Sequence, residues 1–160
     1  MNKIILTLIV TLFLISNTYA AGSSSSSSSS SNYDKAIKLI KSAKKYEQKN
    51  KIDKAKKNYE KAQKLLIKSN DKNPNNVDTL NYLGFTTRKL GDFVEGEKYY
   101  LQGLSIEPKH VGINEYLGEL YVVTNKIDLA KERLEVLKSC NCDEYKDLKE
   151  IIEGKKESKY

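Results

Sequence analysis

The sequence predicts an all-α solenoid of three stacked helix-turn-helix repeats closed by a C-terminal capping helix. Three observations carry that expectation. Leu83-Gly84, Gly91, Phe93, Gly96, Tyr100, Gly103 and Pro108 recur 34 places later as Leu117-Gly118, Asn125, Ile127, Ala130, Leu134, Leu137 and Cys142. A fixed period of this length marks a helical hairpin stacked on copies of itself. Apolar residues within each copy keep helical spacing, and Gly, Asn or Pro interrupts them at regular places.

In chain order, Asn2-Lys3, the apolar run Ile4 to Ile15 and Thr18-Tyr19-Ala20 read as a signal peptide cleaved after Ala20. The run is 12 residues, whereas a bilayer span takes about 20, so a retained anchor is the weaker reading. No cysteine follows the cleavage point, which disfavours a lipoprotein. Export across the inner membrane to the periplasm is therefore expected. Residues 21–33, dominated by nine consecutive serines (Ser23 to Ser31), can bury nothing against their ordering entropy and read as a flexible linker.

The folded part, 34–153, divides into repeats at about 36–69, 77–110 and 111–142. In the second, Asn75-Asn76 after Pro74 give a start signal, and apolar residues at Val77, Leu80, Leu83 and Leu90 outline the first helix. Gly91-Asp92 breaks it. Asp92 with Glu95 has the spacing of a capping box for the next helix, which Pro108 ends. The first repeat aligns only after a shift of 41, through Leu39, Ser42-Ala43, Tyr46, Asn50, Ile52, Ala55, Tyr59 and Ala62. The seven extra residues, around Leu65-Leu66-Ile67, amount to about two helical turns and imply a lengthened second helix. Tyr145, Leu148, Ile151 and Ile152 outline the capping helix, 143–153, with Asp143 as its expected cap and Gly154 as its stop. Residues 154–160 form a polar tail expected to fray.

The pattern resembles the tetratricopeptide repeat, through Leu80, Leu83-Gly84, Gly91, Phe93, Tyr100 and Pro108 in one copy and Leu117-Gly118, Tyr121, Ile127, Ala130 and Leu134 in the next. The resemblance implies a right-handed α-solenoid whose concave groove, lined by the first helix of each repeat, binds a peptide or a partner helix. Gly96 and Gly103 depart from the family's usual alanine, at about 1 kcal/mol each in helix propensity. Thr87 and Asn114 replace its usual apolar residues. Relatives that clamp a peptide's terminal carboxylate do so with Lys, Asn and Arg. The corresponding places here hold Ile40, Lys44, Tyr82, Gly112 and Tyr116, so only Lys44 is compatible and that activity does not carry over.

Helical spacing places Lys44, Asn81, Phe85, Arg88, Glu115, Glu119 and Val122 on the groove face as candidate contacts. Phe85, between Asn81 and Arg88, reads either as a binding anchor or as a core aromatic. Glu115 and Glu119, four apart, suggest an acid-base or cation-binding pair, but such pairs are far more often a solvated face. His110 is the only histidine, and spacing supplies it no nucleophilic partner. There is no phosphate loop or cofactor fingerprint, so no enzymatic activity, cofactor or metal is expected. Cys140 and Cys142 read first as a disulfide, with Cα atoms near the upper end of the bridging range, then as free or intermolecular thiols, and last as ligands of a soft metal ion.

The formal net charge of +7 is unevenly spread. Between Asn32 and Asn76, 14 lysines meet 5 carboxylates, whereas the remainder to Tyr160 is mildly acidic. Solvated helix faces explain this most simply. The alternative is weak contact of the basic repeat with an anionic membrane surface or envelope polymer. Nucleic acid is a poor partner for an exported chain lacking a recognition motif. The expected role is a non-enzymatic scaffold or adaptor of the cell envelope that binds protein or peptide, with partner identity and oligomeric state left open.

Overall fold

The computed structural model describes residues 31–158. The expected signal peptide, residues 21–30 of the expected linker and residues 159–160 lie outside the described residues. Seven helices follow one another within them: α1 (Asn32–Gln48), α2 (Ile52–Lys72), α3 (Val77–Lys89), α4 (Phe93–Ile106), α5 (Val111–Val123), α6 (Ile127–Leu137) and α7 (Asp143–Ile152). α1 with α2, α3 with α4 and α5 with α6 pack as hairpins, each hairpin packs on its successor, and α7 covers α5 and α6. This is the predicted solenoid of three repeats and a capping helix.

Local chemistry explains the boundaries. The turn within each hairpin needs one residue in the left-handed region, and Asn50, Gly91 and Asn125 occupy it at φ of 52°, 98° and 59°. Asparagine and glycine tolerate this conformation better than other residues. α2 has 21 residues against 14 in α4, which accommodates the seven-residue offset inside the helix. The linker ends earlier than expected, because Ser31 caps α1 in a reciprocal box with Asp34, drawing Asn32 and Tyr33 into the helix. At α4 only half the predicted box forms. Asp92 accepts from the Glu95 amide at 3.0 Å, while the Glu95 carboxylate binds Lys98 at 2.7 Å instead. The cap of α7 is Cys142, not Asp143, which is the first helical residue. Gly154 ends α7 as expected, at φ 68°. The tail departs from expectation: the Lys155 amide bonds the Glu150 carbonyl at 2.9 Å, which turns residues 156–158 back toward the body.

The core lies between the helices in two patches. In the first, alanines at 36, 43, 55 and 62 let α1 and α2 approach closely around Ile40, Tyr59 and Leu66. In the second, Tyr100, Ile113, Leu117, Leu120 and Ala130 join the later repeats. The departures from the family pattern have structural reasons. A Cβ on Gly96 would sit 3.2 Å from the Gly84 carbonyl oxygen and 3.3 Å from Arg88 Cβ, and one on Gly103 would collide with Ile113 Cδ1. The propensity cost of these glycines thus permits close crossing. Thr87 is held by Gln63 Nε2 at 2.8 Å. Asn114, fully buried, donates to the Pro108 and His110 carbonyls at 3.1 and 2.9 Å and so ties the inter-repeat loop to α5.

Candidate functional site: the concave cleft

A cleft of about 750 Å³ opens on the concave side. The C-terminal end of α1 supplies Lys44, Glu47 and Gln48, and the start of α2 supplies Ile52. α3 contributes Phe85 and Lys89, and α5 contributes Glu115, Tyr116 and Glu119. α7 adds Asp143, Glu144, Asp147 and Ile151, and the returning tail adds Lys156, Glu157 and Ser158.

The floor of the cleft is aromatic. Phe85, 4 % exposed, packs edge-on against Tyr59 with ring centroids 5.8 Å apart and at a tilt of 41° against Tyr116 at 5.1 Å. Lys44 Nζ stands 4.6 Å above the Phe85 ring and 3.4 Å from the Tyr116 hydroxyl. Phe85 therefore combines both sequence readings, since its ring belongs to the first core patch and also borders the cleft.

Arg88 lies beneath this floor, 2 % exposed. Its Nη1 donates to the Tyr116 carbonyl at 2.5 Å, and its Nη2 lies 3.5 Å from Glu119 Oε2. The guanidinium carbon is within 6 Å of the Phe85, Tyr100 and Tyr116 ring centroids. A charge this deep persists only when paired and hydrogen-bonded. Arg88 thus joins α3 to α5, as Lys89 joins α3 to α1 through Glu47 at 2.6 Å. Glu47 also accepts from the Tyr59 hydroxyl at 2.9 Å.

Of the predicted contacts, Lys44, Phe85, Glu115 and Glu119 line the cleft. Asn81 does not. It is buried against Gly112, its Nδ2 only 3.0 Å from where a Cβ on that residue would lie. Val122 packs against the second core patch. Nor is the Glu115 and Glu119 pair a solvated face, because Glu119 is 7 % exposed beside Arg88 and Glu115 is half-buried next to it. His110 is structural: its Nδ1 accepts from the Ile113 amide at 3.1 Å to cap α5, which leaves Nε2 to donate to Asp78 at 3.3 Å.

Glu115 is the most perturbed carboxylate on the cleft. Burial, then the neighbouring Glu119, Glu144 and Asp147, push its pKa from 4.5 up to about 7, against the lowering effect of Lys44. Because the folded value exceeds the unfolded one, the protonated form favours the fold. That advantage is complete below about pH 4.5 and is lost as pH rises through about 7. Glu115→Gln is accordingly expected to stabilise the protein by roughly 2 kcal/mol at pH 8 and to leave it unchanged at pH 4, as read by urea unfolding at both pH values.

Sequence reasoning missed the part of the site on α7 and the tail. Asp143, Asp147 and Ile151 share one helical face at four-residue spacing, a signal that was readable. That this face turns toward α5 depends on how α7 docks. Cys140 and Cys142 form a disulfide across the turn leading into α7. Their Cα atoms are 5.2 Å apart, mid-range rather than near its upper end, because Asn141 at φ 50° folds the chain back.

No family model matches the sequence, and no curated protein matches it. Solved structures do. The first TPR of Spaghetti (RPAP3) bound to an HSP90 peptide is similar at a TM-score of 0.55 and 20 % identity, over 78 % of this chain and 94 % of that one. The Sgt2 TPR domain from Aspergillus fumigatus gives 0.56 and 18 %, over 75 % and 78 %. The Yersinia enterocolitica type III secretion translocator chaperone SycD gives 0.54 and 16 %, over 76 % and 83 %. The chain thus has the tetratricopeptide-repeat fold.

Proposed function

We propose that this protein is an exported, non-enzymatic adaptor of the cell envelope that holds a peptide or partner helix in its concave cleft. The observation that carries the proposal is the cleft itself: its floor is built from the first helices of the three repeats and its wall from α7. Its volume falls in the range of well-formed ligand sites. A similar fold, the first TPR of Spaghetti (RPAP3), is bound to an HSP90 peptide, which supports the same use of the concave side here. The N-terminal apolar run and the Cys140–Cys142 disulfide support an oxidising compartment.

The test is peptide selection by display on the protein recovered from the envelope, whose first residue should be Ala21, followed by calorimetry. Selected peptides are expected to bind one to one. Gln48→Trp, which narrows the cleft from an exposed position, should weaken them at least tenfold, whereas Leu101→Trp on the exposed face of α4 should not. Equal effects of the two substitutions would place binding elsewhere.

A second reading has its own observation. All 14 lysines between Asn32 and Asn76 are exposed, and of these only Lys44 lines the cleft, so the first hairpin presents a basic surface on which contact with anionic lipid or polymer is electrostatically favourable. Such binding would fall steeply with ionic strength, while groove binding anchored on the aromatic floor would persist.

A further inference from the structure

The cleft is opposite in charge to the protein that carries it. The chain is formally +7, yet seven carboxylates and three ammonium groups line the cleft. The charges are also sorted. Lys44 and Lys89 stand on the first-repeat side, and the carboxylates gather where α5 faces α7. Several are already matched: Glu47 by Lys89, Glu119 by Arg88 and Asp143 by Lys146. Glu115 and Glu144 have no ion pair or hydrogen bond among the described residues.

The chain's own tail shows what this wall accepts. Lys156, beyond the end of α7, folds back and places its Nζ 2.5 Å from Asp147 Oδ1, at the cleft's edge. Glu115 and Glu150 also act on it electrostatically. A lysine arriving from outside the helical stack is thus already seated on the acidic wall. Among the described residues no three His, Cys, Asp or Glu side chains are placed to hold a metal ion, whereas a side-chain ammonium group is seated on this wall.

Resting on the groove-binding reading above, we infer that the cleft selects a peptide segment presenting a lysine or arginine side chain to Glu115 and Glu144, with an apolar neighbour on Phe85, Tyr116 and Ile151, and that Lys156 competes for the same wall. Its floor is aromatic and apolar while its wall is anionic, so the segment it fits is amphipathic and basic. Burial first, then the neighbouring Glu119, Glu144 and Asp147 carboxylates, raises the Glu115 pKa, and an ammonium group brought beside it would oppose the second of these effects. The fit is opposite in charge to the acidic end of the HSP90 peptide SRMEEVD bound to the first TPR of Spaghetti (RPAP3).

The experiment uses three fluorescein-labelled ten-residue peptides, identical in their leucine and tyrosine residues and carrying at the centre lysine, norleucine or glutamate. Binding to the full chain is read by fluorescence anisotropy at low salt. The lysine peptide is expected to bind at least tenfold more tightly than the norleucine peptide, and the glutamate peptide more weakly than both. The double variant Glu115→Gln, Glu144→Gln should erase the lysine preference, while Lys156→Gln should strengthen lysine-peptide binding severalfold. Both removed carboxylates are unpaired, so the double variant is expected to fold, as circular dichroism would verify. Equal affinity of all three peptides, with Gln48→Trp still abolishing binding, overturns the charge selection and leaves the groove reading standing. Preference for the glutamate peptide overturns the charge selection in favour of recognition by Lys44 and Lys89. Indifference of every peptide to Gln48→Trp overturns both readings.

Discussion

Arg88→Met is expected to lower the unfolding free energy by about 3–5 kcal/mol, the usual cost of removing one partner from a buried ion pair. Arg88 is 2 % exposed and Glu119 is 7 % exposed, so the substitution leaves a carboxylate in the interior without its guanidinium. It also removes the donor to the Tyr116 carbonyl and a cation from among three aromatic rings. Methionine fills similar volume, so the loss should come from charge and hydrogen bonding more than from a cavity. The double variant Arg88→Met, Glu119→Leu should recover more than half of the loss, since an apolar pair of similar size often equals a buried ion pair. Urea denaturation of both variants reads this directly. A single variant within about 1 kcal/mol of the wild type would show that the pair is not the tie between α3 and α5.

Gly118→Val should act on fold and site together. A Cβ at Gly118 would stand 2.5 Å from Leu148 Cδ2 and 2.8 Å from Cδ1, and Leu148 is fully buried where α7 docks on α5. Overpacking of this kind costs about 1–3 kcal/mol, and the cheapest relief is displacement of α7. That helix has ten residues and no side-chain hydrogen bond at its N-terminus, so it cannot persist without its packing face. The acidic wall would leave with it. The expected result is a loss of about 2 kcal/mol, faster amide exchange confined to residues 143–152, and at least a tenfold loss of lysine-peptide binding. Leu148→Ala in the same chain should return part of the stability by making room. Unchanged exchange in α7 would show that the neighbouring side chains absorb the added methyl groups without moving the helix.

Both predictions depend on relationships between helices, and there the legibility of the sequence ends. Hairpin turns were readable because Asn50, Gly91 and Asn125 occupy a backbone conformation that few residues accept. The lengthened α2 was readable because an insertion of two helical turns keeps the buried stripe on the same side. Facing side chains were readable only in part. Periodicity put Lys44, Asn81, Phe85, Arg88, Glu115, Glu119 and Val122 on one face of their helices, yet depth differs along that face. Asn81 and Arg88 lie under neighbouring helices, while Lys44 stands exposed at the rim. A helical period specifies an angle about the axis, and burial depends on what is packed at that angle.

The order of α-helices, their turns, the repeat offset and the stacked architecture were thus determined by the sequence itself, since each follows from local backbone preference and the spacing of apolar residues. Tertiary structure alone decided that α7 and the returning tail complete the cleft, that Glu119 is matched and Glu115 is not, and that a basic chain carries an acidic groove. Charge and burial at a site are sums over residues far apart in the chain, here from Lys44 to Lys156, and only their convergence in space sets them.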